Sequence, residues 1–205
     1  MHEKQKIDSL ASILNKIKEL LTHQERVVVA LDGRSGVGKS TIVQKLANKI
    51  QAVVINCDDF YAGPPDGDEK NWLNKTAQEK VNQVFAWQRM KNQAIEPLIA
   101  GEMVEYYPFN FQTGIGLSDK KNYLKPAPVI ILDGVYTAEK LKDLIDISVS
   151  VVFPDKKRRE RLIKREGQEF MLDWHAKWDE AEDYYFNRVR SSPGFDFVIE
   201  GEIIS

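Results

Sequence analysis

The 205-residue sequence predicts an α/β fold, with helices flanking a parallel central sheet. Three observations predict it. Short, continuous apolar runs recur along the chain, and helix-like segments alternate with them. The first run opens directly into a glycine-rich stretch, "LDGRSGVGKST" at 31–41.

Within residues 1–22, Ile7, Leu10, Ile13, Leu14, Ile17, Leu20 and Leu21 recur at three- and four-residue spacing and predict an amphipathic N-terminal helix that closes before Thr22. Its polar face mixes both charge signs, which favours packing over a membrane surface. "VVVAL" at 27–31, "AVVIN" at 52–56, "PVIILD" at 128–133 and "ISVSVVF" at 147–153 read as buried parallel strands, with a shorter "FDFVIE" at 195–200. Helices are expected near 39–50, 77–100 and 137–145, as right-handed crossovers require. The stretch from Asp58 to about Asn74 is rich in Gly, Pro and Asp and reads as a long functional loop. From Asp155 to Arg190 the chain turns charged and helical, opening with "DKKRRERLIKREG". On charge alone that run suits a solvated face as well as an anion contact.

Lys and Arg total 29 against 31 Asp and Glu, a net charge of −2, so the chain lacks the basic excess of nucleic-acid or anionic-membrane binders. Cys57 is the single cysteine, which excludes an internal disulfide. No stretch approaches the ~20 apolar residues of a membrane span, and no signal-peptide region is visible. These features predict one cytoplasmic domain whose partners are small molecules, with no nucleic acid and no membrane. A homo-oligomer stays open.

Gly33, Gly38, Lys39 and Ser40 satisfy G-x-x-x-x-G-K-[ST]. In that pattern the backbone of Gly33, Arg34, Ser35, Gly36, Val37 and Gly38 curls its N–H groups around a phosphate, and the following helix directs its positive end at the same anion. Lys39 would reach the β- and γ-phosphates, the Ser40 hydroxyl is a hard ligand for Mg²⁺, and Thr41 adds a neighbouring donor. The expected architecture is therefore a P-loop NTPase three-layer sandwich. A second Mg²⁺-directed carboxylate belongs at the end of another core strand, where "VIILDG" places Asp133. None of the N-K pairs is followed by the aspartate of a guanine-reading N-K-x-D element. "NCDDFYAG" at 56–63 brings two carboxylates to the sheet's carboxyl edge, where ligands bind in open α/β sheets. Either Asp58 or Asp59 could accept a proton from an incoming hydroxyl, and spacing alone does not choose between them.

The run of "GRSGVGKST", "CDDFY", "YYPFNF", "VIILDGVYTA" and "RLIKREG…WDEAEDYYF", in order over roughly 27–199, resembles the uridine kinase-like branch of P-loop kinases, which includes phosphoribulokinase-like and bacterial pantothenate kinase-like enzymes. The resemblance implies transfer of the γ-phosphoryl group of ATP or GTP, with Mg²⁺, to the hydroxyl of a small-molecule acceptor, a nucleoside above all. It implies an acceptor-binding insertion at 58–110 and a helical lid at 155–190. It makes Asp58 the general base, Tyr61 and Trp72 acceptor-pocket residues, and Arg161 and Arg165 the lid arginines, with Arg158 next. Phe109, Asn110 and Phe111 stand where uridine kinases carry a Y-D-F element lining the base pocket, removing a hydroxyl and a charge. That departure keeps a pantothenate-like or sugar-phosphate acceptor open, and a regulatory ATPase without an acceptor is the reading from another class. The aromatic residues of the 174–186 segment are expected to pack, Cys57 to be buried, and His175 to have no role in the chemistry.

Overall fold

The computed structural model describes residues 7–201, with Phe170 and Met171 by backbone only. The part of the expected N-terminal helix that falls on residues 1–6 lies outside the described residues. In chain order the elements are α1 (Leu10–Leu20), β1 (Val27–Asp32), α2 (Lys39–Ala47), β2 (Ala52–Asn56), α3 (Ala77–Gln83), α4 (Trp87–Met90), α5 (Glu96–Ile99), β3 (Val104–Tyr106), β4 (Asn122–Leu124), β5 (Val129–Asp133), α6 (Thr137–Lys140), β6 (Ile147–Val152), α7 (Asp155–Glu166), α8 (Gln168–Tyr184) and β7 (Phe197–Glu200).

Among the described residues, β2, β5, β1, β6 and β7 lie in that order in one sheet whose neighbouring strands all run parallel. Both faces are covered, which is why the strand sequences are unbroken apolar runs with no polar alternation. Val28, Ala30, Ile130 and Leu132 point into a core shared with Trp72, Val81 and Tyr185, while Val27, Val29, Leu31 and Ile131 point the other way, toward Ile13, Ile17, Ile42 and Leu46. Successive strand residues thus feed opposite layers, and a three-layer sandwich follows. α1 starts where the Ser9 hydroxyl accepts the Ser12 amide at 3.1 Å, and its buried Ile13 and Ile17 sit one turn apart on the sheet side.

Four features differ from the sequence expectation. The segment expected as one helix over 77–100 breaks between α3 and α4, where Tyr61 and Phe85 form an isolated bridge, and passes through a π-helical turn at Lys91–Ile95. The 58–74 stretch is only partly loop: short 3-10 turns form at Cys57–Phe60 and Glu69–Asn74. β3 and β4 pair antiparallel as a small separate sheet, too short to leave a periodic signal. The charged 155–190 segment splits at Gly167, whose φ of 93° ends α7.

Candidate active site

Parallel register builds the site. Leu31 pairs with Asp133, and Asp133 pairs with Asn56, so the carboxyl ends of β1, β5 and β2 stand in a row. β1 leads into the phosphate loop, β5 ends on Asp133, and β2 runs into the turn that carries Asp58. The loop passes into α2 through Gly38 at φ 95°, a left-handed conformation that a side chain would strain. Beyond Asp133 the chain packs so closely on Cys57 that a Cβ on Gly134 would overlap the cysteine side chain.

In the 3-10 turn Cys57–Phe60, residues three apart share one face, and Cys57 and Phe60 are both fully buried. Asp58 therefore opens toward the cleft and Asp59 turns aside. The Asn56 side chain caps the turn, its Oδ1 accepting the Asp58 amide at 3.3 Å. Burial pushes the Cys57 thiol well up, with Asp133 and Asp58 adding to the rise, so the thiol is an inert packing group.

Ser35, Gly36, Gly38, Lys39, Ser40 and Thr41 line a cleft of about 260 Å³ together with Asn56, Asp58, Asp133, Arg161 and Arg165. Lys39 Nζ donates to the carbonyls of Gly33 at 2.8 Å and Arg34 at 3.3 Å. Arg161 donates to the Gly36 carbonyl at 3.4 Å. Protein crowded around Asp58 raises its carboxyl above the ordinary range although the residue opens to solvent through the cleft; Lys39 opposes the rise, Asp133 and Asp59 add to it, and Arg165 opposes it. The Ser40 hydroxyl and Asp133 carboxylate are hard oxygen donors on the same cleft as Lys39, a set that suits Mg²⁺.

The remaining expected residues sit elsewhere. Val37 is buried beneath the loop, and Arg34 pairs with Asp183 while its guanidinium lies 5.6 Å from the Phe186 ring. Arg158, fully buried, donates to the Ser35 carbonyl at 3.0 Å and to Asp155 at 2.6 Å, so it braces the loop from below. Tyr61, Phe109 and Phe111 form an aromatic cluster, with centroids 5.0 Å apart for Tyr61 and Phe109 and 4.9 Å for Phe109 and Phe111. The Tyr61 hydroxyl donates to Glu69 at 2.9 Å. Trp72 is only 2% exposed, wedged between Tyr61 and Trp178, and is a core ring with no open face for an acceptor. Asn110 spends its side-chain carbonyl on its own turn, accepting from the amides of Gln112 and Thr113.

Two acidic residues that the sequence reading passed over hold the loop from outside the cleft. Asp32, fully buried, accepts the Tyr185 hydroxyl at 2.7 Å and the Ala138 amide at 3.0 Å on one oxygen, while the other has no hydrogen-bond partner. Burial raises its carboxyl to about 6 against the pull of those two donors and of Lys39. Glu182 of α8, 1% exposed, accepts the Ser35 amide at 2.8 Å and has Arg158 at 3.7 Å and Arg34 at 3.9 Å. Burial raises its carboxyl too, with the Ser35 amide and then Arg158 opposing. The signal for Asp32 was its place directly before Gly33, masked by the apolar run it ends. Glu182 stood unmarked in a helix crowded with charge.

A family model described as RNA helicase matches residues 29–132, from β1 through the phosphate loop to β5, and stops before α7 and α8. What it covers is the P-loop nucleotide-binding core. The chain belongs to this P-loop family. Within it, the chain is similar to the uridine kinase of Lactiplantibacillus plantarum, 28% identical over 151 residues that make up 72% of this chain and 71% of that enzyme. It is 27% identical over 148 residues to inorganic pyrophosphatase TTM2 of Arabidopsis thaliana, covering 70% of this chain and 21% of that protein. A solved structure described as a possible uridine kinase from Bacillus stearothermophilus superposes with a TM-score of 0.67 at 18% identity, covering 92% of this chain and all of the other. This P-loop protein thus has the fold and the relatives of the uridine kinase-like kinases, and helix α7, beyond the matched core, brings Arg161 and Arg165 onto its cleft.

Proposed function

We propose that this P-loop kinase transfers the γ-phosphoryl group of ATP or GTP to a hydroxyl of a nucleoside, uridine- or cytidine-like. The observation that carries the reading is that Asp58 and Lys39 line one cleft with Asp133, Ser40 and two arginines. The acceptor oxygen bonds to the γ-phosphorus, the bond from that phosphorus to the β–γ bridging oxygen breaks, and Asp58 takes the hydroxyl proton. Lys39, with the loop amides, holds the phosphates, and Arg161 and Arg165, as lid residues, stabilise charge on the group in transit. Mg²⁺, held by Ser40 and Asp133, would neutralise phosphate charge. The aromatic cluster of Tyr61, Phe109 and Phe111 supports a flat acceptor.

One observation favours a different small-metabolite acceptor, pantothenate-like or a sugar phosphate. With the side-chain carbonyl of Asn110 committed to its own turn, the side chains of the 109–111 segment offer apolar rings and not that carbonyl for reading a base edge. An ADP-release screen across nucleosides and small alcohols, with phosphorus NMR of the product, separates the two. Phosphate on the primary hydroxyl of a nucleoside is expected; phosphorylation of a non-aromatic alcohol alone would replace the nucleoside reading while keeping Asp58 and the fold.

A further inference from the structure

We infer that Asp59 is a positioning residue that locks the acceptor-side hairpin to the turn carrying Asp58, an inference that rests on reading Asp58 as the base. An aspartate beside the base could cap its own turn, but that task belongs to Asn56. Asp59 does not line the cleft. Its Oδ2 accepts the Tyr106 hydroxyl at 2.7 Å and the Asn122 side-chain amide at 2.8 Å. Tyr106 and Asn122 face each other across β3 and β4, so one carboxylate oxygen clips both strands at the end from which the 107–121 connection leaves. The Asp59 backbone carbonyl accepts two more bonds, from the Phe109 amide at 2.7 Å and from Arg89 at 3.0 Å. Arg89 in turn donates to the Tyr107 carbonyl at 2.9 Å and lies 4.5 Å from the centroid of Phe60.

Four hydrogen bonds thus converge on the residue next to Asp58, and all of them come from the acceptor side. None comes from the phosphate loop. Charge-assisted bonds to a shielded carboxylate are among the stronger ones, and placement errors of about 1 Å at a reacting group cost about a hundredfold. Asp59 makes the acceptor-side segment at Phe109 and the base at Asp58 move as one body, and a loosened clip degrades acceptor placement while leaving nucleotide binding alone.

The test compares Asp59→Asn, Tyr106→Phe and the double variant with the parent chain, using uridine as acceptor at saturating Mg·ATP, and follows amide exchange in each protein. The apparent KM for uridine is expected to rise about tenfold in Asp59→Asn and less in Tyr106→Phe, the double variant being no worse than Asp59→Asn. Mg·ATP affinity by calorimetry stays within about twofold. Amides of 104–124 exchange about tenfold faster while those of 33–41 keep the parent rate. A purely structural role would speed exchange in both segments and scale kcat with the folded fraction at constant KM. Unchanged uridine KM, or Mg·ATP affinity falling in step with it, overturns the inference. Should the parent chain not phosphorylate uridine, the nucleoside reading fails and the exchange pattern alone decides on Asp59. Asp58→Asn is assayed alongside: full turnover in that variant removes the base, whereas lost turnover there with unchanged KM and exchange in the Asp59 variants removes only the clip.

Discussion

Tyr185 donates its hydroxyl proton to Asp32 across 2.7 Å, tying the π-helical turn after α8 to the strand that enters the phosphate loop. The carboxylate is held at a cost, because its other oxygen is buried without a hydrogen-bond partner. The folded-state value of about 6 exceeds the ordinary 3.8, so Asp32 binds its proton more tightly in the folded chain than in the unfolded one. Its penalty on stability is absent below the unfolded value and is fully present above about pH 6. Asp32→Asn keeps an acceptor for Tyr185 and removes this titration, so the variant's stability relative to the parent should be more favourable at pH 8 than at pH 5 by about 1 kcal/mol. Urea unfolding at the two pH values checks this, and a constant or opposite difference contradicts it.

Lys39→Ala removes the one cationic side chain of the loop that the Gly33 and Arg34 carbonyls hold at the cleft. Turnover should fall by about 10²–10³ and Mg·ATP affinity should weaken, with the thermal transition retained. Calorimetry and a steady-state assay that found both properties intact would contradict the phosphate cradle.

On the proposed mechanism, Arg161 and Arg165 act on charge that grows during transfer. Arg161→Ala and Arg165→Ala should therefore lower kcat more than they raise the acceptor KM. Parent-like kcat in both variants would return α7 to the role of a solvated helix.

Asp58→Asn keeps the shape of the turn and removes proton acceptance. Nucleotide should still bind while transfer falls by ~10²–10⁴. Because the carboxyl is raised, the parent chain's kcat/KM should climb with pH along a limb above the ordinary carboxylate range, and the variant should lack that limb. Lys39 opposes the rise, so residual activity in Lys39→Ala should show the limb displaced to higher pH. A pH profile identical in parent and Asp58→Asn would assign the proton to another group.

The sheet and the phosphate loop were legible because each leaves a local mark: apolar runs such as "VIILD" for a strand buried on both faces, and glycines at fixed offsets before Lys39. Cleft neighbours such as Asp133 and Asp58 followed from strand ends meeting at one edge. The π-helical turn at 91–95, the β3–β4 pair and the burial of Trp72 were not legible, because each depends on partners far away in the chain. The same holds for Asp32, Asp59 and Glu182. What these carboxylates do is decided by Tyr185, Tyr106 and the Ser35 amide, and no spacing in their own segments announces those partners.

The sheet order carries a consequence for how the protein is made. Residues 27–32 precede the whole phosphate loop, yet their strand partners are residues 129–133 on one side and 147–150 on the other. A nascent chain that has emerged only as far as β2 therefore holds the complete glycine-lysine motif on a strand with two open apolar edges and nothing to pair with. Long-range parallel pairing of this kind closes slowly. Affinity for a nucleotide should be gained late in synthesis, in the step when β5 inserts between β2 and β1, and until then the segment that will bind phosphate is the one in greatest need of shelter from aggregation.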